Sequence, residues 1–283
     1  MSERSGPGIL GEVIGTFLLV FVGCGVVHTA VTTGALEGSW QVASVWGFAV
    51  TLAVFVSGGL GGGHINPAIT IAQAVTGSFP WSRVAGYLVA QLAGAALAGV
   101  VLFVCFSGTI EAYEKSEGIV RGQPGSEVTA SMYGEYFPNP TVGLHKGDDP
   151  DLGKALVQGH EQMTTLRAFL IELFATFFLA LCVFAVTDDK NPMAPKSNIA
   201  PFFVGATVAV MVAIFGPLTQ ACMNPARDFG PRIVAACCGW GEIAFPGPRG
   251  AGATLAVYLA GPIVGAILGG VLYAKVIQPV RDR

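Results

Sequence analysis

The chain has 283 residues, 52% hydrophobic and only 12% charged, with a mean hydropathy of +0.62; soluble domains carry about a quarter charged residues, so an ordinary soluble enzyme is excluded. A net charge of −3 leaves no basic footprint for nucleic acid. Gly contributes 39 residues with no Gly-X-Y period and no polar low-complexity tract, which excludes collagen and disorder and points to closely packed membrane helices.

Ionised side chains are costly in lipid, so the stretches free of Asp, Glu, Lys and Arg map the membrane: 13–36, 38–82, 84–110, 173–187, 197–226 and 250–274. The apolar run from Ile9 is too long, and too weakly preceded by positive charge, for a cleavable signal, and predicts a span over 9–31. The next stretch, 45 residues from Gly38 to Ser82, exceeds the roughly 20 residues of one span. Its centre, Ser57-Gly58-Gly59-Leu60-Gly61-Gly62-Gly63, is poor helix, so a span over 40–58 and a short helix over 66–76 are expected. A third span covers 83–106. Residues 107–165 then hold 13 of the 33 charges, nine acids against four bases, and read as a long, solvated outer loop without a role of its own. Spans over 166–186, 199–216 and 252–275 follow, with a short helix at 224–236. Six spans put both termini on one side. Arg4, Arg83, Lys190, Lys196, Lys275, Arg281 and Arg283 gather there, and the first opposite loop has no Lys or Arg, so the termini are expected in the cytoplasm. The six cysteines lack C-x-x-C spacing and read as packing residues.

The chain repeats itself. Glu12-x-x-x-Thr16-Phe17 answers to Glu172-x-x-x-Thr176-Phe177 at an offset of 160, Asn66-Pro67-Ala68 to Asn224-Pro225-Ala226 at 158, and Leu92-Ala93-Gly94 to Leu259-Ala260-Gly261 at 167. One domain over 1–283 is expected, with a first repeat over 9–106 and a second over 166–276. Three spans per half oblige the second copy to enter from the opposite face, and inverted repeats place their site near the midplane between the copies.

Each Asn-Pro-Ala box starts a helix inside the membrane, since Asn caps helix N-termini and Pro suits the first helical position. Entering from opposite faces, the two helices meet with about half a positive charge at each N-terminus, which repels cations and hydronium. The non-helical lead-ins, Gly61 to Ile65 and Gln220 to Met223, must leave carbonyls unpaired, which is tolerated at this depth only against a wet cavity or protein. Carbonyl acceptors, two Asn donors and apolar walls suit a passing water or polyol. They do not suit an ion.

With the string Gly216-Pro217-Leu218-Thr219 … Met223-Asn224-Pro225-Ala226-Arg227-Asp228-Phe229-Gly230-Pro231-Arg232, the two boxes and twin glutamate signatures resemble the aquaporin and glycerol-facilitator (major intrinsic protein) family over nearly the whole chain apart from much of the 107–166 loop. The resemblance implies an all-α membrane protein of six transmembrane helices and two re-entrant half-helices, assembled as a homotetramer with one pore per subunit in the cell (inner) membrane. It implies an aromatic/arginine filter of Trp46, Val212, Ala221 and Arg227. It also implies pore carbonyls at Gly62, Gly63, His64, Ile65, Gln220, Ala221 and Cys222, and Glu12 and Glu172 as braces for the re-entrant loops. Asp228, Arg232 and Pro262-Ile263 resemble the glycerol-conducting branch, as does Val212 where water-selective members have His. The quartet Trp, Val, Ala, Arg instead resembles one group of plant channels that pass both glycerol and water.

The expectation is therefore a passive channel for glycerol, other small uncharged solutes and water, needing no cofactor or metal and catalysing no reaction. A channel mainly for water, urea, ammonia or a metalloid hydroxide is the nearest alternative. An ion- or proton-coupled transporter using Glu12 and Glu172 as a relay is the rival from another class. His64 reads as a structural imidazole rather than a titratable gate, and His28, His145 and His160 are scattered. The Gly58–Gly63 run lacks the Lys-Ser/Thr of a phosphate-binding loop.

Overall fold

The computed structural model describes residues 5–36, 38–142, 162–195 and 198–282. Arg4, Lys196, Arg283, His145, His160 and residues 143–161 of the expected outer loop lie outside the described residues. Among the described residues the chain is all helix, without strands. In chain order the elements are α1 (Ser5–Thr33), α2 (Ser39–Gly61), α3 (Pro67–Thr76), α4 (Trp81–Glu117) and α5 (Glu127–Ala130). There follow α6 (Thr165–Val186), α7 (Ala200–Thr219), α8 (Pro225–Ala235) and α9 (Gly250–Arg281). Helices α1, α2, α4, α6, α7 and α9 are each long and apolar enough to cross a bilayer. Their outward faces carry exposed Val89, Val104, Leu166 and Phe174, as expected where lipid rather than water is the solvent.

The third span is longer than expected: α4 passes residue 106 and stops only at Gly118, whose left-handed φ of 66° breaks it. The reading of the following stretch as a solvated loop is corrected between 126 and 142. Ser126, Thr129, Met132, Tyr133 and Glu135 are almost fully buried, because aromatic and apolar residues there pack beneath Trp240 and Ala235.

Two internal symmetries are visible in the packing. Helices α2 and α7 cross at Gly47 and Gly205. A Cβ on Gly47 would stand 2.8 Å from the carbonyl oxygen of Gly205, and one on Gly205 would stand 2.2 Å from that of Gly47, so neither position has room for a side chain at this crossing. Helices α1 and α4 cross where a Cβ on Gly94 would meet the Val13 carbonyl at 2.3 Å; in α6 and α9 the same contact is Gly265 against Leu173 at 2.1 Å. Val13 and Leu173 keep the offset of 160, but the partner of Gly94 is Gly265, one turn beyond the Gly261 of the Leu-Ala-Gly match. The half-helices interlock the repeats: α3 lies against α9 and α8 against α4.

Candidate functional site

Asn66 and Asn224 sit in extended backbone, each followed by Pro at the first helical position, and cap α3 and α8. The Asn66 side-chain oxygen accepts from the Ala68 N–H at 2.9 Å, and that of Asn224 from the N–H groups of Ala226 at 3.1 Å and Arg227 at 3.3 Å. Their amide nitrogens reach across: Asn66 donates to the Met223 carbonyl at 2.9 Å and Asn224 to the Ile65 carbonyl at 2.8 Å. The two half-helices therefore meet N-terminus to N-terminus, directing the positive ends of both dipoles at one region.

The lead-ins hold left-handed backbone at non-glycine residues, with φ of 44° at Ile65, 63° at Gln220, 56° at Ala221 and 52° at Met223. Such conformations cost about 1–3 kcal/mol each and persist only where surroundings over-determine them. Two buried carboxylates do so. Glu12 accepts from the N–H groups of His64 and Ile65 at 2.8 and 2.7 Å and from the Gln91 side chain at 2.6 Å. Glu172 accepts from the N–H groups of Cys222 and Met223 at 3.0 and 2.9 Å and from the Thr219 hydroxyl at 2.6 Å. In both halves the carboxylate grips the two residues just before the Asn. His64 is held against Thr70 at 3.2 Å and packed on Phe79 and Tyr87.

Three cavities share lining residues in sequence. A central one of about 110 Å³ is lined by Gly62, Gly63, His64, Ile65, Asn66, Ala221, Cys222, Asn224 and apolar side chains of α1, α2, α6 and α7. It shares Trp46, Val212 and Arg227 with an outer cavity of about 330 Å³, and Gln73, Val183 and Thr187 with an inner one of about 520 Å³. Ala221 lines the central cavity alone, and Gln220 lies on the outer one, its side chain tied to the Tyr136 N–H and the Ser131 carbonyl.

At the junction of the outer and central cavities Arg227 is 3% exposed. Its guanidinium donates to the Tyr133 carbonyl at 3.0 Å, pairs with Glu135 at 2.6 Å and lies 4.4 Å from the centre of the Trp46 ring. Burial pushes the Glu135 carboxyl up, while Arg227 draws it back. A second buried pair fixes the segment that carries Glu135. Asp228 accepts from Arg232 at 2.8 and 3.0 Å and from the Glu135 N–H at 2.6 Å, while Arg232 also donates to the Glu135 carbonyl.

Residues 5–273 match the family described as Major intrinsic protein. The chain belongs to the major intrinsic protein family. It is 36% identical over 268 residues to the glycerol uptake facilitator protein of Escherichia coli, covering 95% of this chain and 87% of that one. It is 35% identical over 277 residues to the propanediol uptake facilitator PduF of Citrobacter freundii, covering 98% and 94%. Its fold matches the aquaglyceroporin of Plasmodium falciparum with a TM-score of 0.77, 25% identity and 99% of each chain covered. This major intrinsic protein is a multi-pass membrane protein of a channel and facilitator family.

Sequence reasoning missed the outer-loop contribution to this major intrinsic protein's site, Tyr133 and Glu135, and the inner lining by Gln73 and Thr187. One signal was present: Glu135 is a lone acid within the aromatic stretch Tyr133 to Phe137, where a solvated loop has no need of rings. Gln91, the third partner of Glu12, is a lone polar group in apolar sequence and carried the same kind of signal, whereas Thr219, the third partner of Glu172, is followed directly by Gln220 and did not stand out. The six cysteines are all free, Cys24 and Cys222 among the buried residues.

Proposed function

We propose that the chain is a passive channel that conducts glycerol and similar small uncharged solutes, with water, down their gradients and excludes ions and protons. The observation that carries this reading is the mixed lining, one fixed guanidinium among apolar side chains, where the outer and central cavities join. Arg227, fixed by Tyr133 and Glu135, lines both cavities there together with the apolar Trp46 and Val212, and Ala221 lines the central one beside them. A polyol presents hydroxyls along one edge and carbons along the other, so each finds its complement. An ion would lose its hydration without replacement.

Deeper in, Asn66 and Asn224 offer donors, and the carbonyls of Gly62, Gly63, His64, Gln220, Ala221 and Cys222 offer acceptors. Pro67-Ala68 and Pro225-Ala226 set the helix starts. Glu12 and Glu172 act as structural braces rather than a proton relay, because every one of their four oxygens already accepts a hydrogen bond. The relatives named for glycerol and propanediol uptake support a short polyol as the solute. A homotetramer in the bacterial inner membrane, with cytoplasmic termini, completes the proposal. The test is stopped-flow light scattering of proteoliposomes under a glycerol gradient. Swelling well above that of empty vesicles is expected; a rate equal to theirs overturns the assignment.

A further inference from the structure

Helix α1 contributes Leu19 to the central cavity and Val27 to the outer one. These positions lie eight residues apart on one helix face, and the residue midway between them, at the level where the cavities join, is Gly23. The space a side chain would take there is filled by Trp46. A Cβ built on Gly23 would lie 2.2 Å from Cζ3, 2.3 Å from Cε3 and 2.5 Å from Cη2 of the indole. The ring is thus set back into a notch in α1, with the Arg227 guanidinium 4.4 Å from its centre. Gly23 takes ordinary helical backbone and carries no left-handed φ, so the turn geometry does not demand glycine here. What demands it is the depth at which the indole sits.

We infer that Gly23 is a specificity-determining position of the pore: its missing side chain sets how far Trp46 withdraws from the junction, and therefore how wide a solute passes Arg227. The inference rests on the cavity line being a solute path. Carbon atoms in contact stand about 3.5 Å apart, so a methyl at Gly23 displaces the ring by more than about 1 Å. Trp46 already touches Arg227, and both line the two cavities with Val212, so a displaced ring takes its room from the junction they share. Water, a single oxygen, tolerates that narrowing better than a three-carbon polyol does. The neighbouring Cys24 thiol lies 3.9 Å from the Tyr133 carbonyl that holds Arg227, so one turn of α1 backs both walls of the junction.

The experiment is a cycle of wild type, Gly23→Ala, Trp46→Leu and the double variant, with water and glycerol rates measured in proteoliposomes of equal protein content. The expected result is a tenfold or greater fall in glycerol rate for Gly23→Ala, a smaller fall for water, and no effect of Gly23→Ala in the Trp46→Leu background, where the clash is gone. Glycerol transport by Gly23→Ala equal to wild type overturns the inference, as does an equal loss in both backgrounds, which would make Gly23 a general packing position. Cryo-electron microscopy of Gly23→Ala separates this from the functional proposal. A Trp46 ring displaced by more than 1 Å supports the inference even if wild type carries no glycerol, and an unmoved ring overturns it whatever the flux.

Discussion

At the scale of single residues, the site is a chain of buried charges each held by named donors. Asp228 and Arg232 are 0% and 1% exposed, and their pairing also fixes the backbone of Glu135. Asp228→Asn leaves the Arg232 charge buried without its counterion, and breaking such a pair costs about 3–5 kcal/mol. A corresponding fall in unfolding temperature in detergent is expected, whereas an unchanged melt would mean Arg232 is neutralised by other groups. Glu172→Gln has a different signature. An amide keeps one acceptor oxygen and turns an NH2 towards either Met223 or Cys222 and Thr219, so one arm of the brace becomes donor against donor. A loss of solute flux with normal membrane insertion is expected, with the residual flux independent of pH; a steep pH dependence in wild type that this variant abolishes would favour the relay. Asn66 and Asn224 were legible in the sequence because Asn-Pro at a helix start is local chemistry. Glu135 was not, because burial of a loop carboxylate is decided by Arg227, which lies 92 positions away in the chain.

Among the elements, the end of α9 is fastened to the segment after α6. Asp188 accepts from Arg281 at 2.5 Å, from Tyr273 and Gln278 at 3.0 Å each, and from the Lys190 N–H at 3.0 Å. Partial burial works against its charge, yet the bonds from Arg281, Gln278, Lys190 and Tyr273 hold the Asp188 carboxyl well below the usual carboxylate range. A depressed folded value means that the fastening contributes fully above the unfolded carboxylate value of about 3.9 and is lost as pH falls through the lower folded one. Hydrogen exchange of residues 273–282 is therefore expected to stay slow at neutral and mildly acid pH. In Asp188→Asn it is expected to be fast at neutral pH; equal protection in variant and wild type would show that the helix end is held by other contacts. Element lengths were only partly legible. The end of α4 depended on where a breaker fell, at Gly118, rather than on where charge resumed at Glu111. The Gly94 partner was misjudged by one turn because a three-letter apolar match carries less information than the helix crossing itself, which selects Gly265.

At the level of the whole molecule, the duplication explains why so much of the architecture follows from one half. The twin glutamates, the twin boxes and the reciprocal Gly47–Gly205 crossing repeat one solution in opposite orientations. The outer segment that reaches Arg227 has no counterpart in that scheme, which is why the inverted repeat did not announce it. In the proposed function neutral solute passes alongside the two abutting Asn-capped helix ends while charge does not. Simultaneous recording of glycerol-driven swelling and of internal pH in the same proteoliposomes, under opposed glycerol and proton gradients, tests it most directly. The expected result is glycerol equilibration much faster than in empty vesicles while the proton gradient persists at their leak rate. Glycerol movement no faster than in empty vesicles, or a proton gradient that collapses along with it, would contradict the account.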